Sequence, residues 1–390
     1  LQTLLRLADC IIPEDDAPSA IQAGFAAFLE RNWEDFGEGA HGILSRGLDS
    51  LQGEAEHRQA GRGFEDLSEE EAVALARSME RSEVEAEWTT DPVLFLHQVV
   101  AVVTQSYYGD PDNGGNRDGR SWDHIGFRPD AKRPVVEPDL PPLRVTDPRD
   151  LDRHYEAVVV GAGAGGGVVA CMLAEGGRRV LLLERGEALT AEQVSTDHLR
   201  NHRVALYGHN TGPPLQGHPR VLENRGEARV MRPFEHGYHN NAMTVGGGTR
   251  VYEGQAWRFA PQDFHMASIY GVPEGSSLAD WPIDYETLAP FYELAENEIG
   301  VSGELGHSHA GPRSDYPMPP VESDFDGPIL QDAAKKLGWN VRAVPLAINT
   351  EPRHGRPACV AMGTCCGCAC PSEARGHTAT TMIPRALATG

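Results

Sequence analysis

Three glycines with regular spacing, Gly161, Gly163 and Gly166, stand between two short apolar runs. The first run covers residues 157–160 and the second covers residues 180–183, which predicts a strand, a tight turn, a helix and a second strand. Glycine at these positions lets the chain turn, lets backbone N–H groups approach a pyrophosphate, and lets helix and strand pack closely. The spacing therefore predicts a dinucleotide site at the N-terminus of the helix, where the helix dipole favours phosphate.

An acidic residue, Glu184, ends the second apolar run. It lies at the distance where a carboxylate meets the ribose 2′-hydroxyl of a bound dinucleotide. Arg185 follows it and is predicted to lie at the same cofactor. A carboxylate at this position would repel the 2′-phosphate of NADP, but it leaves both FAD and NAD open.

A second glycine segment consists of Gly246, Gly247 and Gly248, followed by Thr249. A backbone without side chains can press flat against a planar ring and offer N–H donors to it. A domain that binds only NAD gives no reason for such a segment.

Five of the seven cysteines fall between residues 359 and 370. Thiolates are suitable ligands for iron–sulfur clusters and for zinc. The spacing of these cysteines matches neither a C-x2-C-x2-C pattern nor a paired C-x2-C zinc frame. The first interpretation is therefore a structural loop with free or disulfide-forming cysteines, and a metal cluster is the alternative.

Composition limits the partners of this chain. It has 390 residues and a formal net charge of −23, which disfavours nucleic acid and anionic membrane surfaces because both would be repelled. No apolar run approaches the length of a transmembrane helix. The chain begins at Leu1, and we expect it to be truncated at both ends.

The first part of the chain, residues 1–128, is predicted to be an all-α helical domain. Ser68 and Glu71 form the pattern of a capping box, and a later helix that starts near Pro92 is apolar nearly all round, as expected for the centre of a bundle. A proline-rich linker is predicted at 129–150, because the chain there is charged and has no periodicity.

Two stretches of this helical part resemble gluconate 2-dehydrogenase subunit 3, a helical partner of flavoprotein dehydrogenases. They are IIPEDDAPSAIQAGFAAFL, which starts at Ile11, and YGDPDNGGNRDGRSWDHIGF, which runs from Tyr108 to Phe127. The resemblance implies a role in docking, maturation or export of the flavoprotein. A plain packing domain is the alternative.

The rest of the chain resembles the glucose-methanol-choline (GMC) oxidoreductases, in particular the branch acting on sugars and sugar acids. Besides the glycine turn, VGGGTRVYEGQAWRF at Val245 and LADWPIDYETLAPFYELAENEIGVSG at Leu278 carry this resemblance. It implies an α/β FAD-binding Rossmann-like domain over residues 151–390, with part of an α+β substrate-side domain at about 304–350. In the family pattern, the first glycines lie at the pyrophosphate, Glu184 lies at the adenosine ribose, and Gly246, Gly247 and Thr249 lie near the isoalloxazine. A subset of the family holds an iron–sulfur cluster with an adjacent cysteine pair and a later cysteine, so the resemblance makes Cys365, Cys366 and Cys370 the candidates for such a cluster.

The resemblance predicts an FAD-dependent oxidoreductase that oxidises the CH–OH group of a sugar, sugar acid or polyol by hydride transfer to the flavin. It favours a non-oxygen acceptor, such as a cytochrome or a quinone, and suggests an extracytoplasmic location without excluding the cytoplasm. The family's catalytic base is expected in a C-terminal segment outside this chain, so no catalytic residue is named. The other interpretations are a GMC alcohol or sterol oxidase, an NAD-linked dehydrogenase, and a non-catalytic assembly or binding module.

Overall fold

A computed structural model describes most of the chain, in several ranges separated by gaps. The described residues are 1–36, 38–127, 140–190, 193–194, 219–224, 226–231, 242–307, 311–322, 326–361, 365 and 367–390. Internal contacts divide the chain into two compact units, Leu1–Asp130 with Ser195–Asn240 and Ala131–Val194 with Asn241–Gly390. The fold is mixed and rich in helices. Residues 129–139 of the expected linker lie outside the described residues. The domain boundaries given above stay a prediction.

The first unit is built mainly from helices. They are α1 (Gln2–Ile11), α2 (Phe25–Asn32), α3 (Glu38–Arg58), α4 (Glu69–Glu80), α5 (Pro92–Tyr108) and α6 (Arg120–Ile125). The predicted capping box opens α4, because the Ser68 hydroxyl accepts from the Glu71 N–H at 3.3 Å and the Glu71 carboxylate accepts from the Ser68 N–H at 2.8 Å. This unit also contains the antiparallel hairpin of β3 (Arg220–Asn224) and β4 (Glu227–Met231).

Helix α5 lies at the centre of the helical bundle, as its apolar composition predicts. It packs against α1, α2, α3, α4 and α6. Phe95, Val99 and Val103 on α5 are fully buried and join the apolar core of this unit. Asp91 caps the helix by accepting from the Leu94 N–H at 2.9 Å, and Pro92 occupies its first turn, where an N–H is not needed.

One fully buried carboxylate, that of Glu54 on α3, ties a loop to the bundle. It accepts hydrogen bonds from the N–H groups of Glu85 and Ala86 at 2.8 and 2.7 Å, from the Trp88 indole at 3.2 Å and from the Arg58 guanidinium at 2.6 Å. Burial raises the pKa of the Glu54 carboxyl, but these donors together hold it below its ordinary value of 4.5. The charge is therefore compensated inside the unit.

The second unit opens with the predicted strand, turn, helix and strand. Strand β1 (Ala157–Val160) pairs in parallel with β2 (Val180–Leu183), and α7 (Ala164–Glu175) connects them. The register places Ala157 beside Val180 and Val160 beside Leu183. The local elements around the glycine turn thus form where the spacing of glycine and apolar residues predicts them.

Four further helices follow in the described part of the second unit. They are α8 (Met266–Tyr270), α9 (Tyr285–Ile299), α10 (Asp326–Lys336) and α11 (Met382–Ala388). Helix α11 packs against α7, and Arg385 on α11 donates to Glu175 of α7 at 2.9 and 3.0 Å and also to Glu298 of α9. Among the described residues, no helix is both long and apolar enough to cross a membrane.

Candidate cofactor site

The glycine turn between β1 and α7 is open at Gly163 and tightly packed at Gly166. Gly161 has a φ of +95°, a conformation that favours glycine. A Cβ at Gly166 would lie 1.9 Å from the Gly161 carbonyl oxygen, whereas a Cβ at Gly163 would meet no atom within 4 Å. Gly163 is the N-cap of α7 and provides no side-chain cap, so the first N–H groups of the helix face this open space.

Glu184 lies beside the turn and holds it in shape. Its carboxylate accepts from the Ala162 N–H and from the Gly186 N–H, both at 2.8 Å. A carboxylate has about four lone-pair positions, so these two bonds leave it able to accept from a hydroxyl as well. Arg185 is exposed. The role of both residues toward a ribose remains a prediction.

The second glycine segment turns sharply toward the first. Gly246 and Gly247 have φ values of +99° and +54°, and Gly247 to Arg250 form one turn of 3₁₀ helix. A Cβ at Gly247 would lie 3.0 Å from the Gly163 Cα, so any larger residue at this position would push the two segments apart. Gly248 has open space on its Cβ side, and the Thr249 hydroxyl donates to the Gly246 carbonyl at 2.6 Å. The structure therefore brings the two predicted glycine segments together.

Three distant parts of the chain meet at the buried residue Ala162, in the middle of the glycine turn. Its carbonyl accepts from the Gly246 N–H at 3.1 Å and from the Thr378 hydroxyl at 2.9 Å, and its N–H donates to Glu184 at 2.8 Å. The Thr378 N–H also donates to the Thr249 hydroxyl at 3.4 Å. We call the meeting of Ala162, Gly246, Thr249 and Thr378 the glycine junction.

Three arginines are buried beside this junction: Arg250, Arg356 and Arg375. Burial is the main cause that lowers the pKa of Arg250, and it lowers the pKa of Arg356 to about 10. His377, which precedes Thr378, is buried too, and its Nδ1 has no hydrogen-bond partner among the described residues. Burial, followed by the charges of the three arginines, holds the pKa of His377 well below 6.5. The positive charge beside the junction therefore lies on the arginines and not on His377, and the Glu373 carboxylate partly offsets it at Arg250 and Arg356.

The cysteine segment is fastened to the second glycine segment by Arg375. Its guanidinium donates to the carbonyls of Cys365 at 2.6 Å, Arg250 at 2.6 Å and Cys368. Cys366 lies outside the described residues, and no group of three metal-binding side chains is found in the part of the chain that the structure describes. The trio of Cys365, Cys366 and Cys370 therefore remains a prediction.

The sequence patterns do not reveal Thr378 or Arg375 as residues of this site. Thr378 lies 216 residues from Ala162, and nothing in its spacing points to the glycine turn. The segment SEARGHT, residues 372–378, has no apolar periodicity, which predicts a loop. The one signal in the sequence is its position directly after the cysteines.

Comparisons with known proteins find a family model and several relatives that match this chain. Residues 1–129 match the family model of gluconate 2-dehydrogenase subunit 3. Paromamine 6′-oxidase of Streptomyces fradiae is 32% identical over 59% of this chain and 38% of its own length. The fructose dehydrogenase large subunit of Gluconobacter japonicus is 30% identical over 54% of this chain and 39% of its own length.

An uncharacterized GMC-type oxidoreductase of Mycobacterium tuberculosis is 30% identical over 70% of this chain and 34% of its own length. This chain thus spans less than two-fifths of the length of these relatives. A crystal structure of formate oxidase shows a TM-score of 0.23 and 18% identity over 35% of this chain and 21% of that chain.

These comparisons confirm the resemblance predicted from the sequence, to gluconate 2-dehydrogenase subunit 3 over residues 1–129 and to GMC-type oxidoreductases. A further relative is named as a flavoprotein, which agrees with the flavin cofactor that the resemblance implies. It is the gluconate 2-dehydrogenase flavoprotein of Pantoea cypripedii, 26% identical over 60% of this chain and 42% of its own length.

Proposed function

We propose that this relative of the GMC-type oxidoreductases forms the FAD-binding part of an enzyme that oxidises the CH–OH group of a sugar, sugar acid or polyol. The observation that carries the proposal is the glycine junction, where the turn before α7, the second glycine segment and Thr378 are joined through Ala162. A simple nicotinamide domain needs the turn alone. Relatives named for fructose, paromamine and gluconate support a polyhydroxylated substrate.

The residues present fit FAD. The uncapped N–H groups at the start of α7 would hold the diphosphate, Glu184 and Arg185 would lie at the adenosine ribose, and Gly246, Gly247, Gly248 and Thr249 would lie against the ring system. The space that Cβ atoms would fill at Gly163 and Gly248 is open, as a bound cofactor requires. Bound FAD would supply the acceptor for the hydride of the substrate C–H bond.

The buried arginines give the site a second property. Three guanidiniums lie close to the junction, and their Nε atoms have no hydrogen-bond partner among the described residues. The Glu373 carboxylate offsets part of this charge at Arg250 and Arg356, and the remaining positive charge makes the interior favourable for negative charge. The part of the protein around the junction would therefore bind an anionic cofactor more firmly than a neutral analogue. This charge arrangement supports a dinucleotide and does not distinguish between acceptors of its electrons.

The electron acceptor separates two versions of the proposal. A dehydrogenase passing electrons to a cytochrome or quinone is favoured by residues 1–129, because a subunit 3 match suggests a partner module of a dehydrogenase. An oxidase using oxygen is the second candidate, since paromamine 6′-oxidase is among the relatives. In both versions residues 1–129 would serve docking or maturation of the flavoprotein.

The test is an absorption spectrum of the complete protein in the absence of oxygen, before and after addition of a panel of sugars, sugar acids and polyols. We expect flavin bands that bleach with at least one of these compounds. If a quinone analogue reoxidises the reduced flavin rapidly and air does so slowly, the dehydrogenase is supported. Rapid formation of peroxide in air would support the oxidase. Flavin bands that no CH–OH compound bleaches would contradict the proposed substrate class.

A further inference from the structure

Helix α7 carries one glycine that the dinucleotide turn does not need. The three glycines of the turn end at Gly166, whereas Gly167 follows them inside the helix and is buried. A Cβ at Gly167 would lie 2.7 Å from the Cβ of Thr378 and 2.9 Å from its methyl carbon. Glycine inside a helix costs stability relative to alanine, and here it gives Thr378 the room to reach the turn.

Thr378 bridges the two glycine segments directly. Its hydroxyl donates to the Ala162 carbonyl at 2.9 Å, and its N–H donates to the Thr249 hydroxyl at 3.4 Å. The next residue, Ala379, packs on the second segment, because a Cβ at Gly246 would lie 3.3 Å from the Ala379 Cβ. Thr378 is 5% exposed, so water has little access to compete for these bonds.

The backbone around Thr378 is fixed from both sides. The Gly376 N–H donates to the Ala347 carbonyl at 2.8 Å, and the Gly376 carbonyl accepts from the Tyr252 hydroxyl at 2.9 Å. The Thr378 carbonyl accepts from the Ile383 N–H at 2.9 Å, which ties it to helix α11. A side chain on a backbone held in this way is pre-organised, so it can set the position of the groups that it contacts.

The two segments that Thr378 joins would hold different halves of FAD. In the proposed function, the diphosphate lies at the glycine turn and the ring system lies at the second glycine segment. A ligand with two linked halves binds tightly only when its two sites lie at the right separation, because the second contact is then intramolecular. ADP lacks the flavin half and would use the turn alone, so its affinity would not depend on that separation.

We infer that Thr378 is a positioning residue, which fixes the separation of the glycine turn and the second glycine segment and thereby raises the affinity for FAD. This inference rests on the proposed function, to which it adds a residue outside both glycine segments. Gly167 serves the same end, since a side chain there would collide with Thr378. Thr378 acts through the two segments and takes no part in the chemistry of the substrate.

The test compares the affinities of variants for FAD and for ADP, measured by titration of the complete protein after removal of its flavin. Thr378→Val keeps the shape of the side chain and loses the hydroxyl. It should weaken FAD binding by roughly fivefold and leave ADP binding unchanged, whereas Thr378→Ser keeps the donor and should bind FAD like the wild type. Gly167→Ala should also weaken FAD binding alone, while Gly165→Ala, whose Cβ has open space, should not.

The matched control is Thr381→Val. Thr381 is also 5% exposed, and its hydroxyl also donates to a backbone carbonyl at 2.9 Å, but this carbonyl belongs to the nearby residue His377. Both valine variants should therefore lose similar thermal stability. The ratio of FAD affinity to ADP affinity should change in Thr378→Val and stay that of the wild type in Thr381→Val.

Three results in a protein that binds FAD would overturn the inference and keep the proposed cofactor. They are an unchanged FAD affinity in Thr378→Val, an equal loss of FAD and ADP affinity in that variant, and an equal loss of FAD affinity in Thr381→Val. A wild-type protein that binds ADP but takes up no FAD would instead reject the proposed function, and the inference with it.

Discussion

The buried carboxylate of Glu296 on α9 provides the sharpest test of the packing of the second unit. It receives two hydrogen bonds from Arg258, at 2.8 Å each, and two from Arg313, at 3.1 and 2.7 Å. All three side chains are at most 8% exposed. Burial lowers the pKa of Arg258, but the hydrogen bonds from its guanidinium to Glu296 and Tyr285 raise it above its ordinary value. One carboxylate therefore compensates two buried cations.

Glu296→Gln keeps the shape of the side chain and removes its charge. Two guanidiniums then remain buried without the carboxylate that accepts their hydrogen bonds, and the amide NH2 faces N–H donors. Removal of one partner from a buried ion pair costs about 3–5 kcal/mol, so we expect a loss of that size in the free energy of unfolding of this unit. Hydrogen exchange of the α9 amides, measured by mass spectrometry together with urea unfolding, reports the change in this unit directly.

The matched control is Glu304→Gln. Glu304 pairs with Arg342 at 2.6 Å, but these side chains are 34% and 39% exposed, so the loss should stay below about 1 kcal/mol. The reasoning is refuted if the two variants lose similar protection in α9. A double-mutant cycle with Arg313→Met should also show coupling, on the order of 0.5–3 kcal/mol, because the methionine removes one of the two uncompensated cations.

Three other predictions follow from the described contacts. Gly166→Ala should lower the thermal stability of the second unit and its helix content by circular dichroism, because the new Cβ meets the Gly161 carbonyl, whereas Gly165→Ala, whose Cβ has open space, should leave both unchanged or slightly improved. The free energy of unfolding of the first unit should fall as the pH drops below about 4.5, because the folded state holds Glu54 ionised whereas the unfolded state takes up the proton first. In urea titrations, Glu54→Gln should be less stable at neutral pH, and its stability should change less with pH. The second unit should lose stability as the pH falls below 6.5, because the unfolded chain protonates His377 and the folded protein does not; His377→Gln should abolish that slope, and an unchanged slope would show that His377 is not buried neutral.

The parts of the fold set by neighbouring residues could be predicted from the sequence. The glycines and apolar runs between residues 157 and 183 encode β1, the turn, α7 and β2 over a short distance, and the structure has these elements in place. The capping box of Ser68 and Glu71 likewise depends on residues within four consecutive positions. Local hydrogen bonding and periodicity determine both features.

The contacts that assemble the site could not be predicted in the same way. Ala162 and Thr378 meet only because the folded chain brings together segments whose residue types carry no mark of the pairing. The three buried arginines also escape sequence reasoning, since arginine is ordinarily an exposed residue and only its bonds to backbone carbonyls make burial tolerable.

The exposure of β1 is a further departure from expectation. An apolar parallel strand is normally covered on both faces, yet Val158 and Val160 are 57% and 81% exposed in this chain. The sequence pattern predicts the strand and its partner β2 correctly. It cannot predict the layers that cover a sheet, because these depend on elements far away in the chain.

The measurement that tests the central claim most directly is the flavin content of the purified protein after incubation with excess FAD and removal of the unbound cofactor. The account predicts a yellow protein with two flavin absorption bands and about one FAD per chain, and it predicts that Gly247→Leu loses the flavin, because a side chain there collides with Gly163. A folded protein that retains no FAD, or a Gly247→Leu variant that retains it fully, would contradict the claim that the glycine junction is a flavin site.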